Sequence, residues 1–402
     1  MRKTICIVLV GLAVVSRPAA AEARRVTLEE ALGLADLSPG ARAVSLEIDR
    51  ARAEVRAAGL WPNPEILVSR EESAGTVERF ASLTVPLVLS GRLGLERNAA
   101  RQRLAAAQAR ARQQRVSLRA EVRGAFYDLL AAQERVAALE SAASQLIELV
   151  AALRAREIEG ESSGFDRMRG EREQAEVRAE FLASRGRRTR SQAFLAALLA
   201  IPSDGLAADG SLLPTAPLLG RDELLLSARL RGDVVSLDSD LEGAEMLARA
   251  AGRRLIPEPF LTAGSKTTAG AEAHGTGAEL GISFAVPLFD RGQGLRAIAE
   301  AEGRLLRTGR ELRARLAEAE AEAAYAEAVA RREAEESYAT AGAPEELVSI
   351  ARAAYQEGEM KILELLDAYR TALAFRLRMI ELRVEARRAE AALALATGLP
   401  DL

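Results

Sequence analysis

Apolar and polar positions alternate with period two in a stretch that the chain contains twice. The first copy spans residues 78–91 (ERFASLTVPLVLSG) and the second spans residues 279–292 (ELGISFAVPLFDRG). Alternation of this kind predicts a β-strand with one apolar face. In the first copy Leu83, Val85 and Leu87 lie on that face, and in the second copy Phe284, Val286 and Leu288 do.

Each copy ends in the same pair of residue types. Pro86 or Pro287 follows the alternation, Gly91 or Gly292 comes five residues later, and a long charged segment with helical periodicity follows. A proline is tolerated in a sheet only where the ladder does not need its N–H group. We therefore expect these four residues to mark two joints at which a strand leads into a helix.

The same order of elements is predicted twice: a helix, a β-hairpin, a long helix, a tight turn and a return helix. The hairpins are predicted at 63–89 and 257–289, the second with a loop at 266–277. The long helices are predicted from 91 to about 157 and from 292 to about 357, the second with a kink at 342–344. At about 1.5 Å per residue each spans on the order of 100 Å. The turns lie at Gly160 and Gly358.

The fold is therefore predicted to be mostly α with a small β part and an internal duplication. Residues 22–219 form the first repeat and residues 220–402 the second. The first helical segments are predicted at 26–59, with a break at 38–40, and at 222–254, with an interruption near Gly232. Residues 201–219 are rich in proline and glycine, which predicts an irregular linker.

The N-terminus has the pattern of a secretory signal at residues 1–21: a basic start, an apolar run and small residues before the cleavage site. The apolar run is too short for a membrane-spanning helix. The only cysteine, Cys6, lies in this segment, so we expect no disulfide and no thiolate metal site in the mature chain. Cleavage removes three basic residues and changes the formal charge from -3 to -6, which does not indicate a nucleic-acid partner.

Composition and strand count together favour an assembly over a compact domain. Aromatic residues are 4% of the chain while Ala, Arg, Glu and Leu dominate, as in long packed helices. Four strands leave two open sheet edges, which lipid cannot satisfy, and a membrane barrel needs about eight strands. Three chains would supply about twelve strands. The apolar set would then face lipid, and Ser82, Thr84 and Ser283 would face the lumen. A soluble sheet packed on helices is the simpler alternative.

The chain resembles the TolC-like outer-membrane efflux proteins over essentially its whole mature length. The motifs that carry the resemblance are LEEAL at 28–32, LWPNP at 60–64, VPL at 85–87 with Gly91, RGDV at 231–234, VPLFDRG at 286–292 and YQEGEMKILELLDAYR at 355–370. Two motifs depart from the family pattern: Ser38-Pro39 replaces Asn-Pro, and Gly232 replaces the proline of Arg-Pro-Asp, which we expect to loosen a helix start. The LWPNP stretch and the modest length look most like the heavy-metal (cobalt–zinc–cadmium or copper) efflux branch.

The resemblance implies a homotrimer in the outer membrane, with a shared twelve-stranded barrel and a periplasmic tunnel of helices. It also implies that the turns at Gly160 and Gly358 form a tip. This tip would dock to a periplasmic adaptor and an inner-membrane pump of the resistance-nodulation-division type. Glu364 and Asp367 occupy the positions at which the family closes its tunnel with acids. The alternative for this pair is two solvated charges on a helix face.

The function implied is a passive exit duct for metal cations or drugs, with no catalytic site, cofactor or resident metal. Among the sparse Ser, His and Asp residues no triad is suggested, and His274, the single histidine, is expected to be solvated in a loop. A periplasmic adaptor or coiled-coil scaffold is the alternative, because adaptors also contain long helical hairpins. A secreted hydrolase has no candidate nucleophile.

Overall fold

The computed structural model describes residues 24–73, 75–214, 216–270, 274–340, 342 and 344–400. The predicted signal segment, with Cys6, lies outside these residues. The predicted fold class is confirmed, because long helices form most of the chain and the strands form a small part.

The two repeats share the order of two helices, a β-hairpin, a long helical segment and a return helix, while β1 and β4 occur only in the first. The first comprises β1 (Arg24–Val26), α1 (Leu28–Asp36), α2 (Pro39–Ala57), β2 (Glu65–Ser73), β3 (Thr76–Pro86), α3 (Arg92–Ile158), α4 (Gly164–Leu199) and β4 (Leu206–Ala208). The second comprises α5 (Arg221–Arg229), α6 (Gly232–Gly252), β5 (Pro259–Ala269), β6 (His274–Phe284), α7 (Gln293–Ala339), α8 (Pro344–Gln356) and α9 (Ile362–Thr397).

The four longer strands form one antiparallel sheet in the order β2-β3-β5-β6. The strand boundaries differ from the predicted ones. β5 and β6 extend through most of the segment predicted as a loop at 266–277, because its small Gly, Thr and Ala residues pair through their backbones. At the other end, β3 stops at Pro86 and β6 at Phe284, short of the predicted ends at 89 and 289.

A second, very small sheet was not predicted. β1 and β4 pair in parallel, with Val26 opposite Ala208. β4 lies inside the segment at 201–219 that we predicted to be irregular, and that prediction is wrong for these residues. Leu206, Ala208 and Leu212 are buried in one apolar cluster, so their burial and the pairing with β1 hold a segment that is otherwise rich in turns.

The two long helical segments differ in continuity. α3 is unbroken over 67 residues. The predicted second long helix is instead two helices, because α7 ends at Ala339 and α8 begins at Pro344. Gly342, between them, has φ +100°, which a right-handed helix cannot accommodate. The predicted kink is therefore a full break.

Tertiary packing is through thin layers of small side chains. α3 packs against α4, α6, α9 and α2, and alanines such as Ala106 and Ala109 are fully buried at these contacts. Among the described residues, α3 is also the one helix long and apolar enough by composition to cross a membrane, but 44% of its most apolar window is buried inside the protein. We assign that apolar character to helix packing.

We expected Gly232 to loosen the start of α6. Instead, its missing side chain lets the start of α6 lie close to α3. A Cβ atom at this position would lie 2.1 Å from the carbonyl oxygen of Ala109. Beside it, the buried Arg231 donates to Asp233, to Glu320 and to the carbonyl oxygen of Ala396. The helix start is therefore held by close backbone packing and by a buried ion network.

The first repeat has a charge-reversed counterpart of this network. Asp36 lies 25 residues before Trp61, as Arg231 lies before Ile256, and Arg119 lies 28 residues after Gly91, as Glu320 does after Gly292. Arg119 donates to Asp36 at 2.8 Å, and Arg231 donates to Glu320 at 2.7 Å. The duplication therefore retains the geometry of this contact with the charges exchanged.

Candidate functional site

One face of the four-stranded sheet is apolar and exposed. Residues directly opposite each other in an antiparallel register share a face. The register therefore places on one face Ile66 and Val68 of β2, Leu83 and Val85 of β3, Leu261 of β5, and Leu280, Ile282 and Phe284 of β6. Leu280 is 82% exposed and Ile66 is 79% exposed. An exposed apolar patch of this kind is characteristic of contact with lipid or with another protein.

The opposite face of the sheet is polar. Thr84 and Thr262 share a hydrogen bond of 3.1 Å, and Lys266 forms an ion pair with Glu78 at 2.7 Å while lying over the ring of Phe80. Ser82, Glu279 and Ser283 lie on this face too. The predicted division between Leu83, Val85 and Phe284 on one side and Ser82, Thr84 and Ser283 on the other is therefore present in the register.

Three residues of the predicted apolar set lie outside the strands. Leu87 follows β3, and Val286 and Leu288 follow β6. Pro86 is the last residue of β3 and Pro287 lies three residues beyond β6, and neither has an N–H group to donate. Val286 and Leu288 are nevertheless exposed, at 58% and 62%, and they continue the apolar surface toward α7.

Both joints between strand and helix have a left-handed glycine as the N-cap residue. Gly91 precedes α3 with φ 74°, and Gly292 precedes α7 with φ 80°. Gly292 is also packed closely, because a Cβ atom there would lie 2.2 Å from the carbonyl oxygen of Ala251, whereas Gly91 borders open space. Pro86 ends β3, and its carbonyl oxygen accepts a hydrogen bond of 2.7 Å from the Trp61 indole.

The first joint is also tied to the other repeat, which the sequence did not indicate. Glu258, directly before β5, accepts hydrogen bonds from the Ser90 hydroxyl at 2.6 Å and from Arg92 at 3.0 Å. Burial lowers the pKa of Arg92, but the hydrogen bond and the charge of Glu258 outweigh it and raise that pKa overall. No spacing rule connects residues 166 or more positions apart, so only the sheet order could reveal this contact.

The two outer strands, β2 and β6, leave their outer edges unpaired among the described residues. All nine residues of β2 are exposed. Open strand edges are ready to pair with another chain. The same sheet therefore has both an exposed apolar face and two unpaired edges.

The two predicted turns have the same backbone geometry. After α3, Gly160 has φ 78° and the Glu161 N–H donates to the Arg156 carbonyl at 2.8 Å. After α8, Gly358 has φ 79° and the Glu359 N–H donates to the Ala354 carbonyl at 2.9 Å. Each is a Schellman motif, in which a left-handed glycine lets the chain satisfy the last helical carbonyls and reverse.

The return helices α4 and α9 also begin alike. Their shared start gives Glu364 a structural role that Asp367 does not have. Asp166 and Glu364 occupy the equivalent third position of α4 and α9. The Asp166 N–H donates to the Ser163 hydroxyl oxygen at 3.2 Å, and the Asp166 carboxylate accepts from that hydroxyl at 2.9 Å. The Glu364 carboxylate accepts from the Lys361 N–H at 3.0 Å. Glu364 therefore caps a helix.

Asp367 is exposed one turn further along α9 and is not engaged in the cap. Its equivalent in the first repeat is Arg169, whose guanidinium lies over the ring of Phe165. The next exposed residue of α9, Arg370, forms an ion pair with the buried Glu173 of α4. Asp367 is thus the acid of the predicted pair whose carboxylate has no helix-capping role.

The first turn carries an apolar patch that sequence reasoning missed. Ile158 is 88% exposed at the end of α3, and Phe165 and Met168 are exposed at the start of α4. Glu159 and Glu161 flank the turn glycine in the sequence and give no indication of this patch. The helical positions of Phe165 and Met168, three apart and directly after the turn, were the signal that could have revealed the patch.

Ion pairs stabilise the first turn, and a cation–π contact connects the two turns. Arg154 and Arg167 both bind Glu171, and these hydrogen bonds lower the pKa of its carboxyl group. Between the turns, the Arg156 guanidinium lies 5.3 Å from the ring centre of Tyr355, and burial raises the pKa of that phenol. The ends of α3 and α8 are therefore in contact through this pair.

The described residues contain no group of three or more His, Cys, Asp or Glu side chains that could hold a metal ion. His274, which we had expected in a loop, is the first residue of β6 and lies opposite Ala269 in the register. The His274 side chain is exposed, and the residue pairs with β5 through its backbone.

Comparison with known proteins gives matches in sequence and in fold. Residues 34–200 match the family model for outer membrane efflux proteins. The cobalt-zinc-cadmium resistance protein CzcC of Cupriavidus metallidurans is 27% identical over 363 residues, which cover 88% of this chain and 86% of CzcC.

Two solved structures share the architecture. The outer membrane protein VceC of Vibrio cholerae matches with a TM-score of 0.74 and 20% identity, over 92% of this chain and 96% of VceC. The open state of the MtrE outer membrane channel of Neisseria gonorrhoeae matches with a TM-score of 0.76 and 19% identity, over 93% and 89%. These likenesses establish the fold and do not support the periplasmic-adaptor alternative. Residues 34–200 therefore match the outer membrane efflux protein family, and the chain shares the fold of solved outer-membrane channels, in keeping with the predicted outer-membrane location.

Proposed function

We propose that three copies of this chain form a passive exit duct that carries cargo from the periplasm across the outer membrane. The observation that carries the proposal is the sheet, whose apolar face is exposed and whose two outer strands are unpaired. The sheet continues directly into helices such as the 67-residue α3. A membrane-embedded sheet must satisfy every edge, so the lone sheet requires partner strands.

Pairing between copies can close the sheet without changing its pattern. Along the order β2-β3-β5-β6 every neighbouring pair is antiparallel, so β2 and β6 run in opposite directions. β6 of one copy can therefore pair with β2 of the next in the same antiparallel sense. Three copies give about twelve strands, which exceeds the minimum of about eight for a membrane barrel. The face bearing Lys266 and Glu78 would line its interior.

The helical end would contain the tunnel entrance and its partner surface. Asp367 is our candidate for the acid ring, since three carboxylates around a narrow pore favour cations. Glu364 stabilises the helix start that positions Asp367. The turns at Gly160 and Gly358, with the apolar patch at Ile158 and Phe165, are the surface we propose for docking a periplasmic adaptor. That adaptor would connect the duct to an inner-membrane pump.

The cargo we propose is a metal cation. CzcC, whose name refers to cobalt, zinc and cadmium resistance, aligns with 88% of this chain. The acids expected to line the route, Asp367 at the helical end and Glu78 and Glu279 on the polar sheet face, suit a cation. A test is uptake of Zn²⁺ or Co²⁺ into vesicles containing the reconstituted chain, compared with an uncharged drug-sized dye.

The duct itself is tested by two neighbouring substitutions on opposite sheet faces. Ile282→Arg puts a charge on the apolar face, where a membrane strand loses about 2–4 kcal/mol. Ser283→Arg puts the same charge on the polar face. We expect Ile282→Arg to abolish outer-membrane fractionation and detergent-stable trimers, and Ser283→Arg to retain both. A soluble monomer from the unsubstituted chain, or equal behaviour of the two variants, would contradict the proposal.

A further inference from the structure

The helices next to the sheet follow the same lateral order as the strands. α2 packs on α3, α3 on α6, and α6 on α7, so α2 and α7 are the outer helices of this layer. α2 leads into the outer strand β2, and α7 follows the other outer strand, β6. If β6 of one copy pairs with β2 of the next, α7 of the first copy must therefore lie beside α2 of the second.

α7 carries an exposed seam with coiled-coil spacing. The α7 seam consists of Leu295, Ile298, Glu302, Leu305 and Gly309, separated by alternating steps of three and four residues. Leu305 is 73% exposed and Ile298 is 66% exposed. Apolar residues at this spacing are expected to pack against a partner helix along their whole length. Among the described residues no helix of the same chain covers them.

α2 carries a second exposed seam with the same spacing. The α2 seam consists of Ala43, Leu46, Arg50, Ala53 and Ala57. Its other face packs on α3 through residues such as Ala51 and Ala41, which are buried. Large side chains dominate the α7 seam and small ones dominate the α2 seam. The large side chains of α7 can therefore fit into the spaces between the small side chains of α2.

We propose that the α7 seam of one chain packs antiparallel against the α2 seam of a second copy of this chain, in a single register. Leu46 lies opposite Leu305, Ala53 opposite Ile298, and Ala57 opposite Leu295. The same register places Arg50 opposite Glu302. The side chain of Arg50 is 82% exposed and Glu302 is exposed on α7, so the one basic and the one acidic position of the two seams coincide.

The internal duplication supports this register independently. Leu46 and Leu241 are equivalent, since each lies 15 residues before the Pro-flanked segment that begins at Trp61 or Ile256. Within the chain the Leu241 side chain lies against Gly303 of α7. If α2 of a neighbouring copy lies at the same height as α6, Leu46 falls within about one helical turn of Gly303, which is the level of Leu305. This inference rests on the proposed threefold assembly and specifies its helical contact.

Thiol crosslinking tests the register. Cys6→Ser removes the only cysteine of the sequence. In that background Leu46→Cys with Leu305→Cys is treated with a thiol crosslinker of about 8–10 Å, the usual separation of packed helix axes. We expect covalent dimers and trimers in denaturing gels. The matched control is Leu46→Cys with Leu312→Cys, a position also on the exposed side of α7 but about 10 Å further along the helix. We expect at least ~5-fold less crosslinked product from that pair.

A charge exchange tests the polar pair. Arg50→Glu should reduce the crosslinking yield of the Leu46/Leu305 pair at least ~3-fold, and adding Glu302→Arg should restore it. Detergent-stable trimers that show no preference for the Leu46/Leu305 pair would overturn this inference and leave the duct intact. A chain that never forms trimers would instead refute the proposed function, and the contact with it.

Discussion

Gly232 and Gly186 allow one substitution to be compared at two helical glycines with opposite expected effects. At Gly232 a Cβ atom would lie 2.1 Å from the Ala109 carbonyl oxygen and 3.1 Å from the Gln113 nitrogen. Real Cβ contacts are not shorter than about 3 Å, so Gly232→Ala must displace the start of α6 from α3 by about 1 Å. At Gly186, inside α4, nothing lies within 4 Å of the added Cβ atom.

The magnitudes follow from these two environments. Overpacking at a buried contact costs about 1–3 kcal/mol. Replacing a helical glycine with alanine gains up to about 1 kcal/mol in helix propensity. Gly232→Ala also moves the neighbouring Arg231, whose side chain is 3% exposed and binds Asp233 and Glu320. We expect Gly232→Ala to lose about 1–2 kcal/mol overall and Gly186→Ala to gain up to about 1 kcal/mol.

The assay is guanidinium unfolding of the purified chain in detergent, followed by helical circular dichroism. The midpoint of Gly232→Ala should fall below that of the unsubstituted chain, and the midpoint of Gly186→Ala should equal or exceed it. An unchanged slope is needed to interpret the midpoints as stability. A Gly232→Ala midpoint at or above that of the unsubstituted chain would refute the close-contact argument.

Three further outcomes are expected from other positions. Gly292→Ala should destabilise the chain more than Gly91→Ala in the same unfolding assay, because both alanines would need a positive φ but only the first meets a carbonyl oxygen at 2.2 Å; equal losses would contradict this. Asp367→Asn should lower cation selectivity in planar-bilayer conductance, whereas Glu364→Gln should leave selectivity near that of the unsubstituted duct; the reverse result would exchange their proposed roles. The lowered pKa of Glu171 means that its contacts stabilise the turn above the unfolded pKa and are lost as pH falls through the lower folded pKa. Amide exchange at the turn should therefore stay slow at about pH 4.3, where an ordinary Glu side chain is half protonated. Glu171→Gln should remove that pH dependence.

The sequence was sufficient where a local residue decides the backbone. The predicted turns at Gly160 and Gly358 are Schellman motifs, and the predicted joints at Gly91 and Gly292 are N-caps, because a left-handed conformation strongly prefers glycine. The return helix predicted after the turn at Gly358 is α9, and its C-cap residue Gly398 has φ 75°. Such positions carry their own structural signal.

The sequence was insufficient where a distant contact decides the backbone. Residues 266–277 look like a loop because they are rich in small residues, yet most of them are strand because β3 and β6 supply hydrogen-bonding partners. β4 forms because β1 pairs with it from about 180 residues away. Likewise Glu258 is unremarkable until the sheet order brings it to Ser90 and Arg92.

The candidate gate shows how the duplication resolves what spacing alone leaves open. Glu364 and Asp367 lie one turn apart, and helical spacing predicts only that they share a face. The equivalent positions in the first repeat are Asp166 and Arg169. Because the Asp166 carboxylate also accepts a hydrogen bond from the N-cap residue Ser163, the acid at the first position is explained by the turn itself. The second position is not fixed by the turn, since it holds a cation in one repeat and an anion in the other. A charge that the fold leaves free to vary is the one available for selecting cargo, and this reasoning assigns that role to Asp367.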